Sequence, residues 1–274
     1  MAHNNLNFAL NHMVNPRWTP QQLIETAAEM GVRAVELRND VGDNSIVDVA
    51  SARRAGELAR EHGIEVLSLN ALYPFNVWNA EREAQADKLI EWVDAAGGKG
   101  LVLCPLVDAN DSRDGKARRE GLEQALIALD ERLGRHDLKG FVEPLGFPIS
   151  SLRFKAEALE VIDALGLAER FSLVHDTFHH QGAGEQAVFA RRTGLVHVSG
   201  LDDPMISFES MLDEHRVLVD ERDQLDNVGQ LRALLSDGFD GYVSFEPFAP
   251  AVHQHPEPEQ ALRESMDFLR RALA

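Results

Sequence analysis

Four short apolar runs each end on a side chain that binds metal ions: Phe-Val-Glu143, Leu-Val-His-Asp176, Leu-Val-His197 and Ser-Phe-Glu246. Two glutamates, an aspartate and a histidine offer a divalent cation three hard oxygen donors and one nitrogen. That set suits Mn, Zn, Co or Mg better than Cu(I) or an iron–sulfur cluster. Taken alone, each is equally an ordinary strand-end residue. An ion held there could chelate a vicinal hydroxy-ketone, polarise its carbonyl and acidify the neighbouring C–H by stabilising the enediolate. A carboxylate then has only to move the proton. Glu143 and Glu246 are the candidate catalytic pair, each able to hold the ion through one oxygen and exchange a proton through the other. Return of the proton to the adjacent carbon gives an isomerase; return to the same carbon from the opposite face gives an epimerase.

The gaps between these residues, 33, 21 and 49 positions, are too long for one helix or loop, so only repeated structural units can gather them on one rim. Apolar runs without strict alternation, the pattern of buried parallel strands, occur at 6–10, 34–37, 66–69, 100–104, 140–142, 171–174, 195–198 and 242–245. Helical patterns fall between them at 19–30, 47–62, 81–96, 116–133, 153–165 and 231–237, and 259–273 closes the chain. Thr19 before Pro20, and Ser151 before Lys155, read as N-caps. Gly31, Gly63, Gly97, Gly166 and Gly238 read as left-handed residues after helices. This alternation predicts an α/β fold, a single (β/α)8 TIM barrel over residues 1–274. Glu143, Asp176, His197 and Glu246 then end strands 5 to 8, one contiguous arc of the mouth.

Composition narrows the function classes. Lys plus Arg number 27 against 45 Asp plus Glu, a net charge of −18 that repels phosphate backbones and anionic lipid surfaces. Nucleic acid and membrane partners are therefore not expected. The single cysteine, Cys104, rules out an intrachain disulfide. The opening Met-Ala-His-Asn-Asn lacks the basic and apolar segments of a leader, and no apolar run reaches membrane-spanning length, so a cytoplasmic protein is expected. Association into a homo-oligomer stays open, because no apolar stripe marks an interface.

With these elements in place, the chain resembles the xylose isomerase-like TIM barrels over nearly its whole length. Within them it is most similar to the inosose isomerases, which act on 2-keto-myo-inositol in inositol catabolism. The likeness is carried by Val35-Glu36-Leu37-Arg38, Leu69-Asn70-Ala71-Leu72, Pro105-Leu106-Val107, Phe141-Val142-Glu143-Pro144-Leu145-Gly146, Asp176-Thr177-Phe178-His179, His197 with Asp202-Asp203, and Val243-Ser244-Phe245-Glu246-Pro247-Phe248. It implies that Glu143, Asp176, His197 and Glu246 ligate one divalent ion, that His179 touches substrate, and that the activity is a metal-dependent sugar or cyclitol isomerisation. Related sugar epimerases, hydroxypyruvate isomerases and inosose dehydratases share the ligand set. One feature departs from the family: many relatives carry a Pro-Gly-x-Gly turn after strand 7, whereas 215–223 reads His-Arg-Val-Leu-Val-Asp-Glu-Arg-Asp.

Further pocket candidates follow from position. Glu36 and Arg38 lie two apart on strand 2, hence on one side, and are expected to bond a polyol hydroxyl or each other's neighbours as a structural salt link. Asn70 ends strand 3 as a neutral hydroxyl reader or a turn cap. Asn11 and His12 end strand 1. Arg216, in the loop after strand 7, either reaches a substrate hydroxyl or is solvated. His175 should face away from Asp176 and pack between barrel and helices, and His180 is a weaker candidate. Tyr73, Pro74, Phe75, Trp78 and Phe248 supply apolar surface for the C–H face of a keto-sugar ring, with Trp78 read as loop packing. Cys104 has no histidine base nearby and reads as a small buried thiol. Competing functions are a lyase on the same metal, an abasic-site endonuclease, which the acidic charge disfavours, and a non-catalytic sugar-binding protein.

Overall fold

In the computed structural model, which describes residues 6–274, eight parallel strands close into a barrel in sequence order. The five opening residues, read above for the absence of a leader, lie outside the described residues. The strands are β1 (Asn7–Asn11), β2 (Ala34–Arg38), β3 (Glu65–Leu72), β4 (Gly100–Leu103), β5 (Lys139–Val142), β6 (Phe171–Asp176), β7 (Thr193–Val198) and β8 (Tyr242–Phe245). The helices outside them are α1 (Pro20–Glu29), α2 (Val49–Glu61), α3 (Ala80–Ala96), α4 (Gly115–Gly134), α5 (Lys155–Ala164), α6 (Thr177–Ala183), α7 (Asn227–Ser236), α8 (Pro250–His253) and α9 (Pro258–Leu273). Among the described residues no helix is long and apolar enough to cross a membrane.

Alternation along the strands separates two kinds of interior. Outward-facing Leu, Val and Phe side chains such as Leu10, Val35, Leu103 and Phe245 pack against the helices in one continuous core. Inward, a plug of Ala9, Ala34, Leu67, Val102, Phe141, Val174 and Leu195 fills the barrel. Two residues further along each strand, and so on the same face about 6–7 Å nearer the C-terminal mouth, stand Asn11, Glu36, Cys104, Glu143, Asp176 and His197. Neighbouring registers bring these together, with Asn11 beside Glu36, Asp176 beside His197, and His197 beside Ser244. In β3 the register against β2 shifts between Val35 and Glu36, and Ser68 and Asn70 face the same centre.

Local signals explain most helix boundaries. Thr19 and Gln22 form a capping box at α1 with Pro20 in the first turn, and Gly31, Gly63, Gly97, Gly166 and Gly238 all have positive φ. The expected Ser151 cap is corrected. Helix α5 starts at Lys155 after Phe154, and Ser151 instead accepts from Asn76 Nδ2 at 2.9 Å. The open amides of α5 are met from a distance: Glu185 accepts from the Lys155 and Ala156 N–H groups at 3.2 and 3.0 Å. Gly146 is demanded by close approach, since a Cβ there would lie 2.1 Å from the His179 carbonyl oxygen.

Candidate metal centre and active site

One donor atom from each of Glu143, Asp176, His197 and Glu246 lies within 4.8 Å of the other three, and all four residues are buried. His197 Nδ1 faces Glu143 Oε1 at 3.0 Å, Glu246 Oε2 at 3.2 Å and Asp176 Oδ2 at 3.9 Å. Asp176 divides its oxygens: Oδ1 caps α6 by accepting from the His179 N–H at 2.9 Å, leaving Oδ2 for the centre. Three converging carboxylate oxygens and one ring nitrogen, with the other ring nitrogen held elsewhere, fit a divalent ion in both donor type and spacing.

Beneath the centre lies Glu36, fully buried. Its carboxylate accepts from His197 Nε2 at 3.1 and 3.2 Å, Ser68 Oγ at 2.6 Å, Asn70 Nδ2 at 2.9 Å, Asn11 Nδ2 at 3.3 Å, and Ser244 Oγ. Burial alone would raise this carboxyl, but the charge and hydrogen bond of His197 and the two serine hydroxyls hold it at about 2. Burial likewise opposes a charged His197, and the surrounding Glu246, Glu36 and Glu143 overcome it, pushing the imidazole well above its ordinary value. Two guanidiniums complete the balance. Arg38 Nη1 donates to Glu246 Oε1 at 2.7 Å, and Arg216 Nη2 to Glu246 Oε2 at 2.9 Å and to Asp176 Oδ2. Against its burial, Glu246 is held below the usual carboxylate range by His197, Arg216 and Arg38.

Above the centre opens a cavity of about 640 Å³ whose walls include Arg38, Asn70, Tyr73, Cys104, Glu143, Leu145, Phe147, His179, Arg216, Glu246 and Phe248. Of the expected substrate contacts, His179, Arg38, Asn70 and Arg216 reach this space, and Glu36 does not. The hydroxyl contact expected of Glu36 is corrected to an internal role, because it stands one inward position deeper than Arg38 and is covered by the ring of donors. Arg38 is tied at Nε and Nη2 to Asp40 at 2.7 and 2.8 Å, so it serves Glu246 as much as the cavity. Arg216 is buried, 1% exposed, rather than solvated. His179 carries a buried Nδ1 without a hydrogen-bond partner. Tyr73 and Phe248 line the wall, while Phe75 is in the core and Trp78 packs under Arg132. The Cys104 thiol lies 3.3 Å from Glu143 Oε2, and burial plus that carboxylate push it up, the opposite of an activated nucleophile.

His175 and His180 turn away from the cavity. Both accept from Lys155 Nζ through Nδ1, at 3.2 and 2.6 Å, and His175 Nε2 bonds Gln230 Oε1 at 2.9 Å. Burial lowers Lys155 to about 8 and His180 to about 3. Sequence reasoning passed over Asp40, Ser68, Ser199 and Ser244. Ser244 and Ser68 stand two positions before Glu246 and Asn70, so period-two spacing alone could have placed them on the inward face.

The model of the xylose isomerase-like TIM barrel family matches residues 24–272. The chain belongs to that family. Among solved structures, a xylose isomerase domain containing protein from Salmonella typhimurium is 30% identical, with TM-score 0.86 and 98% of each chain covered. The IOLI protein, solved with a bound zinc atom, shares the fold at 20% identity and TM-score 0.82, again over 98% of both chains. D-psicose 3-epimerase from Clostridium cellulolyticum H10, solved with D-tagatose, shares it at 13% identity and TM-score 0.77, over 98% of this chain and 99% of that one. No curated protein sequence gives a significant match.

Proposed function

We propose that this family member is a divalent-metal-dependent isomerase of the cytoplasm that moves the carbonyl of a polyhydroxy ketone, with 2-keto-myo-inositol as the first substrate to test. The observation that carries the reading is the buried convergence of Glu143, Asp176, His197 and Glu246 at the floor of a polar-and-aromatic cavity. The bound zinc of the IOLI protein supports it. These four residues would hold the ion, which would supply Lewis-acid polarisation of a substrate carbonyl. Glu143 and Glu246 form the proton-transfer pair: one takes the proton from the carbon beside the carbonyl, the other delivers one to the former carbonyl carbon, and the proton of the substrate hydroxyl passes to the former carbonyl oxygen, so that hydroxyl and ketone change places. His179, whose side chain lines the wall, donates to or accepts from a substrate oxygen, and Arg38, Asn70 and Arg216 read further hydroxyls. Tyr73 and Phe248 cover the C–H face and exclude water.

The test is NMR of 2-keto-myo-inositol in D₂O with protein loaded with Mg or Mn. A new ketone carrying deuterium at the former carbonyl carbon is expected, and Glu143→Gln and Glu246→Gln should each abolish it. An inverted centre at the original carbon would make the enzyme an epimerase, and a diketone product a dehydratase. Exchange retained in both variants would refute the proton-transfer assignment.

A further inference from the structure

Arg216 holds the two carboxylate oxygens that a divalent ion would need. Its Nη2 donates to Asp176 Oδ2 and Glu246 Oε2, and those two atoms, with Glu143 Oε1, are the oxygens turned toward His197 Nδ1. The guanidinium is fixed rather than draped there. Nε donates to Ser199 Oγ at 3.0 Å, and Nη1 reaches Asp213 Oδ1 at 3.3 Å. Its Cζ lies over the rings of both Phe178 and Phe248, at 5.1 and 4.6 Å to their centroids. The backbone is pinned as well: Val217 pairs with Gly200 in both directions, and the Arg216 carbonyl accepts from the Phe248 and Ala249 N–H groups.

Without an ion, Glu36, Glu143, Asp176 and Glu246 crowd one buried site, and buried like charges are tolerated only with compensating cations. We infer that Arg216 is the internal counter-ion of the metal-free site, stabilising its carboxylates and yielding Asp176 Oδ2 and Glu246 Oε2 when a divalent ion enters, so that it sets how tightly the ion is held. This rests on the metal reading of the centre. It separates Arg216 from Arg38, whose bond to Glu246 uses Oε1 rather than the Oε2 that faces His197.

The test compares Arg216→Gln and Arg216→Lys with the wild type by titration calorimetry with Zn(II) and by thermal unfolding with and without Zn(II). Losing a charge-assisted competitor should tighten Zn(II) binding in Arg216→Gln roughly tenfold or more. It should also lower the melting temperature of the metal-free protein and enlarge the rise on adding Zn(II), with Arg216→Lys in between. In the wild type, the Arg216 Nε–H NMR signal, assigned by its loss in Arg216→Lys, should shift and exchange faster on adding one equivalent of Zn(II). That measurement decides the matter if Arg216→Gln does not fold. Unchanged or weaker Zn(II) binding in the variants, or an unmoved Nε–H signal in loaded wild type, overturns the inference while leaving the metal reading intact. A wild type that binds no Zn(II), Mn(II), Co(II) or Mg(II) overturns both.

Discussion

Replacing Glu36 by glutamine removes one negative charge from the floor of the centre while keeping the side chain's shape. The lost charge had been gathering donors from His197, Ser68, Asn70, Asn11 and Ser244. A rotated amide could still offer its oxygen to His197 Nε2, and the one serine hydroxyl beside its NH₂ could turn to accept from it. Asn11 and Asn70 donate to different carboxylate oxygens, so one of the two would then face the NH₂, a donor, and lose its bond. A carboxyl held at about 2 against an ordinary 4.5 contributes about 3 kcal/mol to the metal-free fold. Because the folded value is the lower one, that stability is present above pH 4.5 and is lost as pH falls toward 2. Glu36→Gln should therefore destabilise the metal-free protein by about 1.5–3 kcal/mol at pH 7 in urea unfolding, and the gap to wild type should close on acidification through that window. His197 would also lose the partner that fixes its tautomer and orientation, so affinity for Zn(II) should fall by about 10–100-fold in calorimetry. A variant within about 0.5 kcal/mol of wild type and with unchanged Zn(II) affinity would refute the account of Glu36 as the anchor of His197.

Two other perturbations test the frame around the centre. Burial lowers Lys155 to about 8 from 10.5, so the folded state binds fewer protons than the unfolded chain between those values and this group's contribution to stability grows as pH rises. The stability of wild type relative to Lys155→Met should increase by up to about 3 kcal/mol from pH 8 to 10.5; a flat difference would mean that the ammonium is not penalised where it sits. Gly146→Ala drives a Cβ to 2.1 Å from the His179 carbonyl oxygen and 2.9 Å from the Ala183 nitrogen. It should cost about 2 kcal/mol or more in chemical unfolding and displace α6 with His179, raising KM for the ketone; unchanged stability would show that the loop has slack.

What the sequence made legible follows from what alternation encodes. A polar side chain ending an apolar run announces both the strand and its inward face, which is why Asp176 and His197 and the barrel itself were readable. Depth along that face is not encoded. Glu36 and Arg38 share a side of β2, but one lies under the donor ring and the other beside the cavity, and only the stagger of neighbouring strands decides which. Arg216 was obscured for a different reason: its loop follows no regular period, and its burial depends on Gly200, Phe178 and Phe248 from three other segments. The Ser151 cap failed because a carboxylate 30 residues away, Glu185, satisfies the α5 amides instead.

The four residues proposed to hold the ion come only from β5 to β8 or the positions just past them, whereas Asn11, Glu36, Arg38, Ser68 and Asn70, which bond to them or to one another beside them, come from β1 to β3. The barrel thus carries its chemistry as two complementary cassettes on one chain. Recombination between relatives at the β4–β5 junction would exchange one cassette without the other. A hybrid would inherit a competent centre only where the incoming first half brings a carboxylate to the position of Glu36 and a guanidinium to that of Arg38, and this couples the divergence of two stretches that never meet in sequence.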